Sequence, residues 1–143
     1  MPIWKTDFTL ETLHSLSRNT LGETIGIEFT EIGEDFIRAR MPVDSRTVQP
    51  FRMLHGGASV VLSETLGSLA GQLCVEDPEK QACVGIEVNA NHLRPAFEGS
   101  FVVGTVRPVH IGKTLMVWNT EIHDERGKLV CISRLTVQVI KRG

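Results

Sequence analysis

This 143-residue chain predicts an α+β fold in which one long, mostly apolar helix covers a face of an antiparallel sheet. Three observations carry that reading. From Leu54 to Val75 the only acidic or basic side chain that is fully charged at neutral pH is Glu64, and Val60, Glu64, Gly67, Ser68 and Gly71 share one helical stripe. Beyond Pro78 the sequence shows strand alternation with no further helical period. The strands are joined by short turns, which forces neighbours to run antiparallel.

The elements follow in order. Thr9 is a plausible N-cap before Leu10, Leu13 and Leu16, so a short amphipathic helix is expected over Thr9 to Arg18. Ile25, Ile27 and Phe29 alternate with polar residues, Ile32-Gly33-Glu34-Asp35 supplies turn chemistry, and Ile37, Ala39, Met41 and Val43 alternate again, which predicts a hairpin. Pro42 and Pro50 bracket an irregular loop that leads into the helix beginning near Gly56. That helix is expected to run to Glu76-Asp77-Pro78, where proline forbids continuation. Strands are then expected over Ala82 to Arg94, Ser100 to His110, Thr114 to His123 and Leu129 to Ile140, with Asp124 to Gly127 as a turn. In the first of these, Val84, Ile86, Val88 and Ala90 read as one core-facing row that ends at His92, while Glu87, Asn89 and Asn91 face away. The whole chain, 1–143, reads as one domain.

Composition excludes several classes of function. A net charge of -2 and a pI near 6.2, with no basic run beyond the Lys141-Arg142 tail, leave no footprint for nucleic acid. Cys74, Cys83 and Cys131 are odd in number, widely spaced and set in apolar surroundings, as in a reduced cytoplasmic protein. Met1 to Arg18 is amphipathic and polar, without a charged stretch followed by an apolar run, so export is not expected. A membrane span is disfavoured, because the apolar stretch holds four glycines, Glu64 and a Gln and has no second span beside it.

Glu64 is the residue that points to chemistry. A carboxylate on an apolar helix is either paired, here with a distant Arg, or kept for its reactivity. The His55-Gly56-Gly57 step places unobstructed backbone N–H groups at a helix N-terminus, where orphan donors and the helix dipole favour developing negative charge. A carbonyl held there is expected to lie near Glu64, a combination that suits acyl transfer; on its own the step is also an ordinary tight turn. Ser68, one turn beyond Glu64, reads as a hydrogen-bond donor to substrate or to Glu64, since no G-x-S-x-G elbow exists. Arg94, Arg107, His110 and Lys113 lie near strand ends, where together they suit the phosphates of a nucleotide-like carrier. No His pairs with a second ligand at metal spacing, so neither metal nor cofactor is expected.

Taken together, Val43 to Arg46, Gln49-Pro50-Phe51, Leu54 to Ser59, Glu64, Gly67-Ser68, Asn89 to His92 and His110-x-Gly112 resemble the hotdog-fold acyl-CoA thioesterases over nearly the whole chain. Within that family the branch of 1,4-dihydroxy-2-naphthoyl-CoA hydrolases and enterobactin proofreading thioesterases is the nearest. The resemblance implies a curved antiparallel sheet wrapped around one long central helix, and homodimers that pair into homotetramers with active sites at the dimer interface. It implies Glu64 as nucleophile or general base, Gly56 N–H as the group polarising the thioester carbonyl, and Gln49, His55 and Ser68 as positioning groups. Gly85, the segment His92, Leu93, Arg94 and Pro95, and the turn His110, Ile111, Gly112 and Lys113 would receive pantetheine and nucleotide. Relatives tend to carry a small residue where this chain has Arg52, so Arg52 is expected to narrow or charge the acyl pocket.

These readings combine into a cytoplasmic enzyme that hydrolyses aromatic or other bulky acyl-CoA, of the kind met in menaquinone synthesis, without a metal or cofactor. A hotdog hydratase or dehydratase, or a non-catalytic acyl-CoA sensor, are the alternatives. Glu64 behind His-Gly-Gly fits hydrolysis better than either.

Overall fold

The computed structural model describes residues 1–143: α1 (Leu10–Leu16), α2 (Leu21–Thr24), β1 (Glu28–Ile32), β2 (Ile37–Pro42), α3 (Gly56–Gln72), β3 (Gln81–His92), β4 (Phe101–Ile111), β5 (Leu115–Asp124) and β6 (Leu129–Lys141). The six strands make one antiparallel sheet in the order β1-β2-β4-β5-β6-β3, so β3 is an edge strand although it precedes β4 in the chain. Helix α3 packs against every strand except β1, and the sheet therefore wraps around it.

The reasons are local. Thr9 and Thr12 form a reciprocal capping box at 3.2 Å in each direction, which starts α1 where the cap was expected. The ring of His14 then accepts a hydrogen bond from the Phe29 N–H at 3.1 Å and ties α1 to β1. On α3, Leu62, Leu66 and Ala70 are fully buried over the sheet. Gly67 lies on an adjacent flank, where a Cβ would come within 2.6 Å of Leu135 Cδ2, so the helix sits closer to β6 than any larger residue would permit. Truncating one of the buried leucines to Ala should cost about 2–5 kcal/mol.

The α+β architecture and the predicted strands are present, with ends displaced by one or two residues. Three details differ. Residues Leu21–Thr24 form a short helical turn, and β1 starts at Glu28, later than the alternation suggested. α3 stops at Gln72, because Leu73, Cys74 and Val75 leave the helix to fill the core as irregular chain, each under 8% exposed. In β3 the register slips between Gly85 and Glu87, so that the expected apolar row is broken. Val88 and Ala90 pack on the core with Cys83, whereas Val84 and Ile86 are 40% and 53% exposed.

Candidate active site

His55 caps α3. Its Nδ1 accepts from the Gly57 N–H at 2.8 Å, so this nitrogen carries no proton and Nε2 is left as the ring's donor. Its own N–H is held by Thr47 O at 2.8 Å, and the preceding Leu54 N–H by Ala96 O at 2.8 Å. The backbone approaching the helix is thus pinned on both sides. The N–H of Gly56 donates to no acceptor in the protein. It is the one free backbone donor among His55, Gly56 and Gly57, at the positive end of the helix dipole.

That region borders an open hollow of about 380 Å³ lined by Gln49, Gly56, Ser59, His92, Arg94 and Pro95 among others. A Cβ on residue 56 would lie 2.8 Å from His92 Nε2, so glycine there lets the imidazole close on the helix start. In the loop before α3, the Gln49 side-chain oxygen accepts from the Phe51 N–H at 2.5 Å. Its amide NH2 is therefore left to donate to a ligand. Arg94 donates to Leu129 O at 3.0 Å. Gln49, Gly56 and His92 to Pro95 are brought together at this hollow.

Glu64 is half-buried and lies over β3, where a Cβ on Gly85 would come 2.7 Å from Glu64 Oε2. The carboxylate forms no ion pair and no hydrogen bond, so the alternative of a distant Arg partner does not hold in the folded chain. Ser68 is half-buried beside it, but no Ser68–Glu64 bond forms. The register slips just after Gly85, and Gly85 lies under Glu64, giving the carboxylate its seat.

Within one chain the carbonyl site and the carboxylate are separate. Gly56 and Glu64 are eight residues apart on α3, about 12 Å along the axis, and they abut opposite stretches of β3, at His92 and at Gly85. The expectation that a carbonyl on Gly56 lies near the same chain's Glu64 is corrected by this spacing. The turn His110 to Lys113 is remote as well. Ile111, Gly112 and Lys113 line a hollow of about 440 Å³ with Lys5, Cys74 and Gln81, beyond the C-terminal end of α3.

Arg52 also departs from expectation. Its guanidinium pairs with Glu98 through Nε to Oε1 at 3.1 Å and Nη2 to Oε2 at 2.5 Å, and it does not line the hollow. Burial pushes the thiols up, Cys74 to about 12 and Cys83 to about 11, which favours the protonated form of both at neutral pH. No group of three His, Cys, Asp or Glu side chains is gathered as a metal site, and no helix is long and apolar enough to cross a membrane. Ser63, buried on α3, has an Oγ with no hydrogen-bond partner. Nothing in the pattern of the helix marks it out from Ser59.

The family described as the thioesterase superfamily matches residues 51–131. The 1,4-dihydroxy-2-naphthoyl-CoA hydrolase of Escherichia coli is 51% identical over 138 residues, covering 96% of this chain and 99% of the relative. A proofreading thioesterase of Cronobacter turicensis is 48% identical over 138 residues, 96% of this chain and 98% of the relative. Among solved structures, a thioesterase of Haemophilus influenzae superposes with a TM-score of 0.92 at 50% identity, covering 97% of this chain and 95% of that one.

Proposed function

The chain belongs to the thioesterase superfamily, and from that premise we propose that it hydrolyses acyl-CoA thioesters with aromatic or bulky acyl groups, of the 1,4-dihydroxy-2-naphthoyl type. The acyl preference draws on the substrate named for the Escherichia coli relative. The observation that carries the chemistry is the free Gly56 N–H, which faces the hollow beside His92 while Glu64 stands unpaired on the same helix.

In this reading the thioester oxygen accepts from Gly56 N–H and the Gln49 amide, where the helix dipole favours the oxyanion. Glu64 takes a proton from water, whose oxygen forms the new C–O bond as the C–S bond breaks. That proton ends on the departing CoA thiolate. If Glu64 itself attacks, an acyl anhydride forms and water then hydrolyses it; both routes give free acid and CoA without a cofactor. His55 acts through its Nε2–H, and Ser68 orients the water or the thioester.

The 12 Å offset along α3 is resolved by two chains. Glu64, Ser68 and Gly85 of one chain face Gln49, His55 and Gly56 of another. Pantetheine then runs past His92 to Pro95, and the nucleotide reaches the partner's His110 to Lys113 turn. The unpaired edge of β3, with Val84, Ile86, Asn89 and Asn91 exposed, suits the contact. We place the 143 residues as one domain in a cytoplasmic homodimer that pairs into a homotetramer.

Two measurements test this. Thiol release across benzoyl-, naphthoyl- and medium-chain acyl-CoA should be fastest for the aromatic esters, and a flat or inverted order refutes the preference. Refolded mixtures of inactive Glu64→Gln and Gly56→Leu chains should recover up to about a quarter of wild-type rate through heterodimers with one intact site. No recovery, with heterodimers present by mass spectrometry, would refute the shared site.

A further inference from the structure

Two segments wall the hollow beside Gly56. One is the loop Gln49 to Leu54, which carries Gln49. The other is the stretch His92 to Glu98, which leaves the end of β3. Leu54 N–H donates to Ala96 O at 2.8 Å, Met53 bridges Phe97, and Glu98 N–H donates to Arg52 O at 3.2 Å, so the walls are stitched as a short antiparallel pair. The Arg52–Glu98 ion pair closes that seam at its rim.

Arg52 sits at φ 63°, in the left-handed region that a residue with a Cβ disfavours. This conformation closes the loop around Gln49. Arg52 N–H donates to Gln49 O at 2.8 Å, and Gln49 N–H donates to Met53 O at 2.9 Å. The same loop lets Phe51 N–H hold the Gln49 side-chain oxygen and aim its amide outward. Relaxing Arg52 to a right-handed or extended conformation would open the loop and turn that amide. The backbone here works against its own preference, and the two-pronged contact with Glu98 is the side-chain interaction opposing relaxation.

We propose that Glu98, acting through Arg52, is a positioning residue for thioester hydrolysis: the pair holds a strained loop closed so that the Gln49 amide stays aimed at the carbonyl site. The proposal rests on the reading of Gln49 and Gly56 as the carbonyl-binding groups. Arg52 and Glu98 are largely exposed, with side chains 57% and 38% accessible, so the pair contributes little to global stability. Its effect is on the geometry of one loop. A prediction sets this chain apart: with glycine at position 52 the left-handed conformation carries no penalty, and the loop no longer needs Glu98.

The experiment is a double-mutant cycle on kcat and KM for benzoyl-CoA, with Glu98→Gln, Arg52→Gly and the double variant, each checked by thermal melting. Glu98→Gln should lower kcat about three- to tenfold with KM little changed and the melting temperature close to wild type. Arg52→Gly removes the guanidinium and the backbone strain together and supplies the second background of the cycle, against whose own kcat the double variant is read. Adding Glu98→Gln to Arg52→Gly should then change nothing. Arg52→Lys, which keeps the charge but not the two-pronged contact, should fall between. Unchanged kcat in Glu98→Gln, or the same proportional loss in both backgrounds, overturns the proposal. Retained turnover in Gln49→Ala would instead overturn the underlying reading of the carbonyl site.

Discussion

Replacing Gly85 by alanine separates the placement of Glu64 from the stability of the fold. The added Cβ would stand 2.7 Å from Glu64 Oε2 and 3.6 Å from Glu64 Cδ, but an ordinary 3.5 Å from Leu135 Cδ1. Only the carboxylate is in the way. It must retreat by roughly 0.7 Å to reach normal contact, and because it is the end of a half-exposed side chain with no partner, it can do so at little cost to folding. Gly85 has no positive φ, so the backbone accepts alanine, and the narrower unfolded ensemble should offset or exceed any loss by about 0.5–1 kcal/mol. Catalysis is less forgiving. A reacting group displaced by about 1 Å commonly costs about a hundredfold, so a smaller shift should reduce kcat by about 10- to 100-fold, equivalent to about 1.4–2.7 kcal/mol of barrier. The assay is thiol release from benzoyl-CoA at saturation, with thermal unfolding alongside. Adding Glu64→Gln to Gly85→Ala should bring the rate no lower than Glu64→Gln alone, since both act on one group. A variant with wild-type kcat and an unchanged melting temperature would show that the seat of Glu64 on Gly85 is not the working geometry.

Glu64→Gln and Glu64→Ala should remain folded and lose about three or more decades of turnover; near-wild-type rates in either would end its role. Sedimentation at micromolar concentration should show a dimer or larger assembly, and a fully active monomer would refute a site shared between chains. Activity should persist after exhaustive chelation, and a loss restored by one divalent ion would contradict the site described. Because burial raises Cys74 to about 12 and Cys83 to about 11 against an ordinary 9.0, the folded state holds these protons more tightly than the unfolded chain. Their stabilising contribution should be complete below pH 9 and fall as pH rises toward 12. Denaturant midpoints at pH 8 and pH 11 test this, with Cys74→Ala and Cys83→Ala losing part of the difference.

What the sequence revealed and what it hid divide along physical lines. Period-two alternation located β2, β4, β5 and β6, because each buries one face and shows the other to solvent, and burial is what writes alternation. The same rule failed in β3, where Val84, Ile86, Val88 and Ala90 keep a perfect period while the strand itself slips at Gly85. A slip leaves composition untouched, so only the exposure of Val84 and Ile86 betrays it. The end of α3 was hidden for a similar reason, since Leu73, Cys74 and Val75 are as apolar as a continuing helix would be. Of the candidate site residues, Glu64 and His55-Gly56-Gly57 stand out by residue type, as a lone carboxylate and a His-Gly-Gly start on an apolar helix, whereas Gln49 and Gly85 enter only through the family resemblance. Their separation was legible too, because eight residues at 1.5 Å each put about 12 Å between Gly56 and Glu64 whatever surrounds them. A carboxylate side chain bridges less than half of that. The spacing is what the proposed two-chain site answers to, in which the carbonyl at one helix start meets the Glu64 of a different helix, and the seats of the two groups at opposite stretches of β3, Gly56 by His92 and Glu64 by Gly85, fit that proposal.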